Sequence, residues 1–541
     1  MNTLSKISLL LTASVLIFIS CNETRRNAGY KQDAYTENAR MENPVYESIE
    51  EVPTDPGQQP TIVADDDDPI DHNTEEYDKI VENPFKDVKQ NPLSTFSIDV
   101  DNASYSNVRR YINSNSLPPK GAVRIEEMIN YFTYDYPDPK GEHPFAFITE
   151  LSECPWNAEN KLLHIGIQGK KLNYDDYKPS NLVLLLDVSG SMDTDNKLPL
   201  LKKGMSMLLD ELDDNDKISI VVYAGAAGMV LEPTPASERK KIKKALNDLQ
   251  AGGSTAGGEG IQLAYKLAKE AFIPKGNNRI ILATDGDFNV GTSSTSTLVE
   301  MVEEKRKEGV YLTIIGLGMG NYKDGRMEQI SNAGNGNYFY IDNIREAEKV
   351  FVKELRANMF TIAKDVKIQI EFNPTVAKAY RLIGYENRIM AKEDFDDDTK
   401  DAGELGAGHT VTALYEVIPA GSDTEVNTAS DLKYQETKIK ENAVGSGDLM
   451  TIKFRYKPID SETSILIEKA VPNATLQNTG NNFKFSAAVA AFGMQLRESE
   501  YKGETDYDLI LKLAKEGKGN DPFGYRAEFI QMVETAKLLA K

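Results

Sequence analysis

Acidic and hydroxyl side chains gather after apolar runs in the middle of the chain. The segment NLVLLLDVSGSMD passes through branched apolar residues to Asp187 and then presents Ser189 and Ser191. The segment AGGSTAGGEG carries Thr255 ahead of a predicted helix, and LATDGDFN ends another apolar run at Asp285. These side chains offer hard oxygen ligands, which suit Mg²⁺ rather than zinc or copper. The pattern predicts one metal site, with Mn²⁺ or Ca²⁺ as alternatives to Mg²⁺, formed by Asp187, Ser189, Ser191, Thr255 and Asp285.

The charge of this ligand set indicates what the ion would do. Two carboxylates and three neutral hydroxyls only just neutralise a divalent ion. If the carboxylates act largely through water, the ion remains electrophilic towards a further ligand. A carboxylate from another protein is the natural sixth ligand, so the pattern favours metal-dependent binding of an acidic group.

The elements that must position these residues alternate between strand and helix over residues 180–360. Strands are predicted at 181–187, 217–223, 279–284, 310–316 and 338–341, with a short antiparallel edge at 229–231. Helices are predicted at 198–212, 237–249, 260–272, 295–308 and 344–359. Continuous Val, Ile and Leu runs are typical of parallel strands that are covered by helices on both faces. Ligands of such sheets bind beyond the carboxyl ends of the strands.

The three parts of the pattern, in this order, resemble the metal-ion-dependent adhesion site of von Willebrand factor type A domains. The resemblance covers residues 180–360, and all five metal positions match. It implies that Ser189 and Ser191 ligate the ion directly. It also implies that Thr255 ligates directly when a ligand is present, and that Asp187 and Asp285 act directly or through water.

The flanking segments resemble the YfbK-like group of bacterial lipoproteins, in which a type A domain lies between two other domains. FSIDVDNASYSNVRRYIN, VRIEEMINYF, YRLIGYEN and DPFGYRAEF carry this likeness from about residue 91 to the C-terminus. We expect an N-terminal α+β region at 91–175, the type A domain at 176–360, a β-rich domain at 361–480 and a helical region at 481–541. The likeness indicates this architecture better than it indicates a function.

Alternating residues on both sides of the type A domain suggest a shared β-sandwich. Two strand-like runs precede the domain, and these are too few to form a stable sheet alone. We therefore predict that residues 144–170 and 365–457 form one antiparallel sandwich, with the Rossmann-like, doubly wound α/β domain inserted between its halves. Helices at 485–498, 507–516 and 522–539 are expected to close the chain, the last with Pro522 in its first turn.

The N-terminus predicts a targeting signal. Residues 1–20 contain one lysine and a short apolar run, and FISC ends this run at Cys21. This resembles a lipoprotein signal peptide whose cysteine is lipidated; an ordinary signal peptide that is cleaved nearby is the alternative.

The segment after the signal is strongly acidic. Residues 22–90 hold 18 acidic and seven basic residues, including DDDD at 65–68, so residues 21–90 are predicted to be an acidic, disordered tether. A solvated spacer is favoured over a calcium site for the Asp run.

Composition excludes several classes of function. The net charge of −22 opposes nucleic-acid binding, and two cysteines exclude a disulfide framework. The four histidines are scattered, so they form no zinc-like cluster with cysteine.

Two glycine-rich motifs resemble sites of other protein classes but are incomplete. GLGMGN at 316–321 lacks the third glycine of a dinucleotide loop. GGSTA at 252–256 nearly matches a nucleophile elbow, but His409 is the only histidine that follows it in the chain and could act as its base.

Three further acidic residues are expected to have roles other than metal binding. Asp99 and Asp101 are interpreted as capping or turn residues, and Asp287 as an exposed acid of a loop. Asp394, Asp396 and Asp398 have calcium-loop spacing, but the required glycine and closing glutamate are absent.

The sequence thus predicts a membrane-anchored lipoprotein of the cell envelope, on an unspecified leaflet, that is a binding protein and not an enzyme. Its expected partner is a protein that presents a carboxylate. The alternatives are a structural or assembly component whose metal only stabilises loops and, less favoured, a metal-dependent hydrolase.

Overall fold

The computed structural model describes residues 75–541 apart from 173–176, 225, 254–256, 287–294, 321–322, 355–356, 358, 428–433 and 435–437. The described residues belong to a single unit, Asp71–Lys541. Within them, no helix combines the length and the apolarity needed to cross a bilayer. The predicted signal peptide, Cys21 and most of the predicted tether lie outside the described residues.

The N-terminal region contributes short strands and helices to the rest of the fold. Its elements are β1 (Lys86–Asp87), β2 (Leu93–Ser97), α1 (Ala103–Asn113), α2 (Ile125–Asn130), β3 (Phe145–Cys154) and β4 (Asn157–Gly169). Packed structure begins before residue 90, where the tether was predicted to end. Glu75 forms a buried ion pair with Arg110, at 2.8 Å, and this pair offsets the acidity that favoured disorder.

The middle of the chain forms a six-stranded sheet with helices between its strands. Its elements are β5 (Ser180–Asp187), α3 (Leu198–Glu211), β6 (Lys217–Tyr223), β7 (Ala227–Pro235), α4 (Arg239–Asn247), α5 (Gly257–Glu270), β8 (Asn277–Thr284), α6 (Thr295–Lys307), β9 (Tyr311–Leu317), α7 (Asp324–Ala333), β10 (Tyr338–Ile341) and α8 (Ile344–Glu348). The strand order is β10-β9-β8-β5-β6-β7. All neighbours are parallel except β7, which runs antiparallel to β6.

Both faces of this sheet are covered, which explains its unbroken apolar strands. Leu201 and Met205 of α3 and Ile242 of α4 pack on one face. Ile261 of α5 and Val302 of α6 pack on the other. The predicted doubly wound α/β domain is therefore confirmed. The sequence pattern missed α7 and predicted only a third of β7.

The last predicted helix of this domain, residues 344–359, is not a regular α-helix throughout. Asn343 caps α8 by accepting hydrogen bonds from the backbone N–H groups of Arg345 and Glu346. After α8 the backbone widens into a π-helical turn at Lys349–Lys353. The Lys349 ammonium, nearly fully buried, pairs at 2.7 Å with Glu354, five residues further on. A helical period in the sequence does not distinguish the two helix types.

The strands outside the α/β domain form two five-stranded sheets. Besides β1 to β4, the strands of these sheets are β11 (Thr361–Phe372), β12 (Ala377–Ile383), β13 (Gly403–Gly406), β14 (Thr410–Pro419), β15 (Asp448–Lys457) and β16 (Ile465–Pro472). One sheet has the order β1-β12-β14-β4-β3, and the other has the order β13-β11-β15-β16 with β2 also on β11. Phe145 of the first sheet contacts Phe454 of the second across a shared apolar core.

The predicted insertion is confirmed by the pairing of β4 with β14. These strands come from opposite sides of the α/β domain and share eight register positions, from Thr410 with Gln168 to Val417 with Lys161. The points where the chain leaves and re-enters the sandwich are also adjacent. A Cβ atom on Gly169 would lie 3.1 Å from Ile362 Cδ1.

The C-terminal helices cover the outer face of the first sandwich sheet. They are α9 (Asn481–Arg497), α10 (Tyr507–Gly517) and α11 (Tyr525–Leu539). Phe485 and Phe529 pack with Phe132, which follows α2, and with Leu162 of β4 in one core. The last helix begins after Gly524, so Pro522 lies outside its first turn, contrary to the prediction.

Candidate metal centre

Two buried carboxylates lie at the carboxyl edge of the α/β sheet. Strand β5 is buried along its whole length and ends at Asp187. Its parallel neighbour β8 ends one residue before Asp285. Neighbouring parallel strands end at the same edge, and the Thr284 hydroxyl donates a 3.3 Å hydrogen bond to Asp187 Oδ2. Both carboxylates are fully buried.

The two serines after β5 lie side by side. Ser189 N–H donates to Asp187 Oδ1 at 2.9 Å, and Ser189 Oγ lies 3.0 Å from Ser191 Oγ. Ser189 is buried, whereas Ser191 is exposed. The site therefore opens to solvent on the side of Ser191.

The glycine-rich loop that carries Thr255 is attached to the serine loop. Gly252 N–H donates to Val188 O at 2.7 Å, and Gly190 N–H donates to Gly253 O at 3.1 Å. These bonds hold the loop against the site up to residue 253. Thr255 itself lies outside the described residues, as does Asp287.

A lysine that the sequence pattern did not predict completes the site. Lys197 Nζ donates to Asp285 Oδ2 at 2.9 Å and to the backbone oxygen of Ser191 at 3.0 Å. Its side chain is only 10% exposed. A lysine just before a predicted helix is usually a surface residue, so the sequence signal was weak. The sequence clue to its role was that Lys197 lies only six residues after Ser191, one of the predicted metal ligands.

Electrostatics favour a cation between these groups. Burial raises the pKa of Asp187 to about 6, and the nearby Asp285 carboxylate adds to this effect, while hydrogen bonds from Ser189 oppose it. Asp285 Oδ1 is buried and has no hydrogen-bond partner within the described part of the chain. An orphaned carboxylate oxygen, a second carboxylate and two adjacent hydroxyls fit a hard divalent cation.

Other candidate ligands are dispersed. No group of three or more His, Cys, Asp or Glu side chains in the described ranges could hold a metal. His164 Nε2 lies 2.7 Å from the Tyr136 hydroxyl, and His143 contacts Tyr456. His409 precedes β14 in the sandwich.

The other acidic residues that the sequence offered as candidate ligands bind basic or polar side chains. Arg388 pairs with Asp99 at 3.1 Å and with Asp101 at 3.0 Å, while Asp99 also accepts the Asp101 N–H group in a turn. Asp396 pairs with Arg455, and Asp398 accepts from Ser464. The acids with calcium-loop spacing thus have separate partners.

The sheet order, the helices on both faces and the oxygen-rich strand ends define a von Willebrand factor type A domain. The model of that domain matches residues 181–353, and a model described as "von Willebrand factor" matches residues 71–164. The model described as "Uncharacterized protein YfbK, C-terminal" matches residues 357–539. The uncharacterized protein YfbK of Escherichia coli is 43% identical over 471 residues, which is 86% of this chain and 81% of that protein. The chain belongs to the YfbK family.

Two more distant similarities have lower sequence identity. The uncharacterized protein sll0103 of Synechocystis is 31% identical over 195 residues, covering 36% of this chain and 45% of that protein. A solved von Willebrand factor type A protein from Catenulispora acidiphila is 16% identical. The match covers 74% of this chain and 92% of the chain of that protein, with a TM-score of 0.40.

Proposed function

We propose that this protein is a lipid-anchored binding protein of the cell envelope, not an enzyme. A divalent cation, Mg²⁺ first, would be held by Asp187, Ser189, Ser191, Thr255 and Asp285. The ion would bind an acidic side chain or a C-terminal carboxylate of a partner protein. The observation that carries this proposal is the placing of two buried carboxylates beside two serine hydroxyls 3.0 Å apart at an exposed rim.

The chain's own residues preorganise this site. Ser189 N–H fixes one oxygen of Asp187, and Thr284 fixes the other, so the carboxylate cannot rotate freely. The bound ion would supply a positive charge that attracts a carboxylate. Because Ser191 lies on the exposed side, a partner can approach there without any opening of the sheet.

Binding is favoured over catalysis because Asp187 and Asp285, the two carboxylates of the described site, would both hold the ion. His164 is fully buried in the sandwich region, and burial lowers its pKa to about 3. His409 immediately precedes β14 in the sandwich, far along the chain from the metal loops. A hydrolase would require a group that accepts a proton beside the ion.

The anchor is the second part of the proposal. The apolar run in residues 1–20 and the cysteine at position 21 support lipidation at Cys21 after cleavage of the signal peptide. Lipid chains hold a protein at a membrane face without a spanning helix. The acidic segment that follows would let the domain reach partners away from that face.

The alternative is a structural component in which the ion only stabilises loops. The backbone bonds from Gly252 to Val188 and from Gly190 to Gly253 favour binding over this alternative, because they join the two loops without an ion. A stabilising role would be more natural if the loops were joined only through the metal.

The test is capture of envelope proteins by the immobilised chain in Mg²⁺ and then in EDTA. The variant Asp187→Ala removes a ligand, and Asp195→Ala removes an exposed acid of the same loop as a matched control. We expect a specific protein, identified by mass spectrometry, to bind the wild type and Asp195→Ala in Mg²⁺ only. Equal capture in EDTA, or equal capture by Asp187→Ala, would contradict the proposal.

A further inference from the structure

The buried lysine at the candidate metal centre occupies the position of a counter-ion. Lys197 Nζ contacts a carboxylate oxygen of Asp285 and the backbone oxygen of Ser191, which belong to two of the predicted metal loops. Lysine is almost never buried unless it is paired. Of the described basic residues, Lys197 alone lies within ion-pair distance of Asp187 or Asp285.

The fold leaves room for this side chain at the end of β9. Gly318 follows β9 with φ +75°, and a Cβ atom there would lie 2.1 Å from Lys197 Cε. A larger residue would therefore displace the lysine stem. Gly318, at the end of β9, thus leaves the space through which the Lys197 side chain reaches Asp285.

The charges of the site make the ammonium and a divalent ion competitors. Without a metal, the two carboxylates are balanced in part by one ammonium. With a metal in place, three positive charges would face two negative ones around two fully buried carboxylates, and like charges repel strongly at low dielectric. The Lys197 ammonium lies on Asp285 Oδ2, while Oδ1 of the same carboxylate is left without a hydrogen-bond partner in the described part of the chain, so an ion held by Asp285 would share one carboxylate with the ammonium.

We propose that Lys197 is an internal competitor of the metal ion, and this inference rests on the proposed metal-dependent function. In the metal-free protein Lys197 neutralises Asp285 and keeps the loops in place. When Asp187 and Asp285 hold a divalent cation, the Lys197 ammonium would leave Asp285 and move towards the rim at Ser191. The competition weakens metal binding, so the occupancy of the site follows the divalent-ion concentration outside the protein.

The first experiment uses the wild-type chain and lysine acetylation by an N-hydroxysuccinimide ester, followed by mass spectrometry. In EDTA, Lys197 is expected to react slowly because it is buried and hydrogen-bonded. In saturating Mg²⁺ it is expected to react several-fold faster, while the exposed Lys203 of α3 reacts equally in both conditions. Equal reactivity of Lys197 in a protein shown by calorimetry to bind Mg²⁺ would overturn the inference.

The second experiment measures Mn²⁺ affinity by electron paramagnetic resonance. Lys197→Met is expected to bind Mn²⁺ about tenfold or more tightly than the wild type, because a like charge has been removed at short range. Lys197→Arg, which keeps the charge, and Lys203→Met, which removes an exposed charge of α3, are expected to match the wild type. Equal or weaker binding by Lys197→Met would overturn the inference and leave the metal site itself standing. Absence of Mn²⁺ binding by the wild type and by Lys197→Met would instead overturn the proposed metal-dependent function and the inference with it.

Discussion

Arg109 in α1 donates a 2.8 Å hydrogen bond from Nε to Asp342, the residue that follows β10 of the type A domain. The same guanidinium pairs with Glu346 of α8 at 2.7 Å and with Glu528 of α11 at 2.8 Å. One buried arginine therefore joins the N-terminal helix, the end of the type A domain and the C-terminal helix. This connection lies next to the π-helical turn that follows α8.

Substitution Arg109→Leu is expected to destabilise the protein strongly. It leaves Asp342 and Glu346 as buried carboxylates without their cation, which costs roughly 3–5 kcal/mol in the free energy of unfolding. The measurement is urea denaturation followed by circular dichroism. The control is Arg345→Leu, because Arg345 pairs with the same Glu528 but its side chain is 54% exposed. An exposed pair contributes about 0–1 kcal/mol. Similar losses in the two variants would contradict the prediction.

His164 predicts a specific pH dependence of stability. Burial lowers its pKa from the ordinary 6.5 to about 3. Below pH 6.5 the unfolded chain therefore binds a proton that the folded chain excludes, and the contribution of His164 to the free energy of unfolding falls as pH drops towards 3. The slope is about 1.4 kcal/mol per pH unit for one proton.

The variant His164→Gln separates this effect from all other titrations, because Gln can still meet the Tyr136 hydroxyl but does not titrate. Between pH 6 and pH 4.5 the wild type is expected to lose about 1.4 kcal/mol per pH unit more than the variant. Urea midpoints measured over this range give the difference. Parallel curves for the two proteins would show that His164 takes up a proton in the folded state.

A larger residue in place of Gly166 in β4 is expected to cause a packing defect. A Cβ atom there would lie 2.4 Å from Tyr136 Cζ, and Tyr136 contacts both His164 and Thr412 through its hydroxyl. Gly166→Ala is expected to shift the ring and cost about 1–3 kcal/mol by overpacking. Gly228→Ala on β7 is the control, since nothing lies within 4 Å of its Cβ position. Thermal melts should show a fall for Gly166→Ala only.

The parts of the structure that local patterns specify were predictable from sequence. The apolar run that ends at Asp187 requires a strand covered on both faces, and parallel neighbours must end at one edge. These two facts predict the sheet and place Asp187 near Asp285. The inserted architecture followed because β3 and β4 alone are too few strands for a sheet.

The remaining features depend on contacts between distant parts of the chain. Glu75 belongs to an acidic segment and pairs with Arg110 only once α1 is folded. Lys197 precedes a helix and has no local reason to be buried; its burial requires Asp285 and the space at Gly318. Periodicity and spacing carry no information on such ion pairs.

The pair formed by Lys197 and Asp285 predicts strong coupling between two substitutions. In EDTA, Lys197→Met leaves a buried carboxylate unpaired, and Asp285→Asn leaves a buried ammonium unpaired. Each single variant is expected to lose roughly 3–5 kcal/mol in the free energy of unfolding, because a charge remains without its partner.

The double variant removes both charges and is expected to be more stable than either single variant, when measured by urea denaturation of all four proteins in EDTA. Losses that simply add would mean that the two side chains act independently. The double variant also improves the test of metal function, because Asp285→Asn alone combines loss of a ligand with an unpaired lysine. If the double variant stays folded and no longer binds Mn²⁺, the carboxylate at position 285 is required for the ion and not only for the stability of the loops.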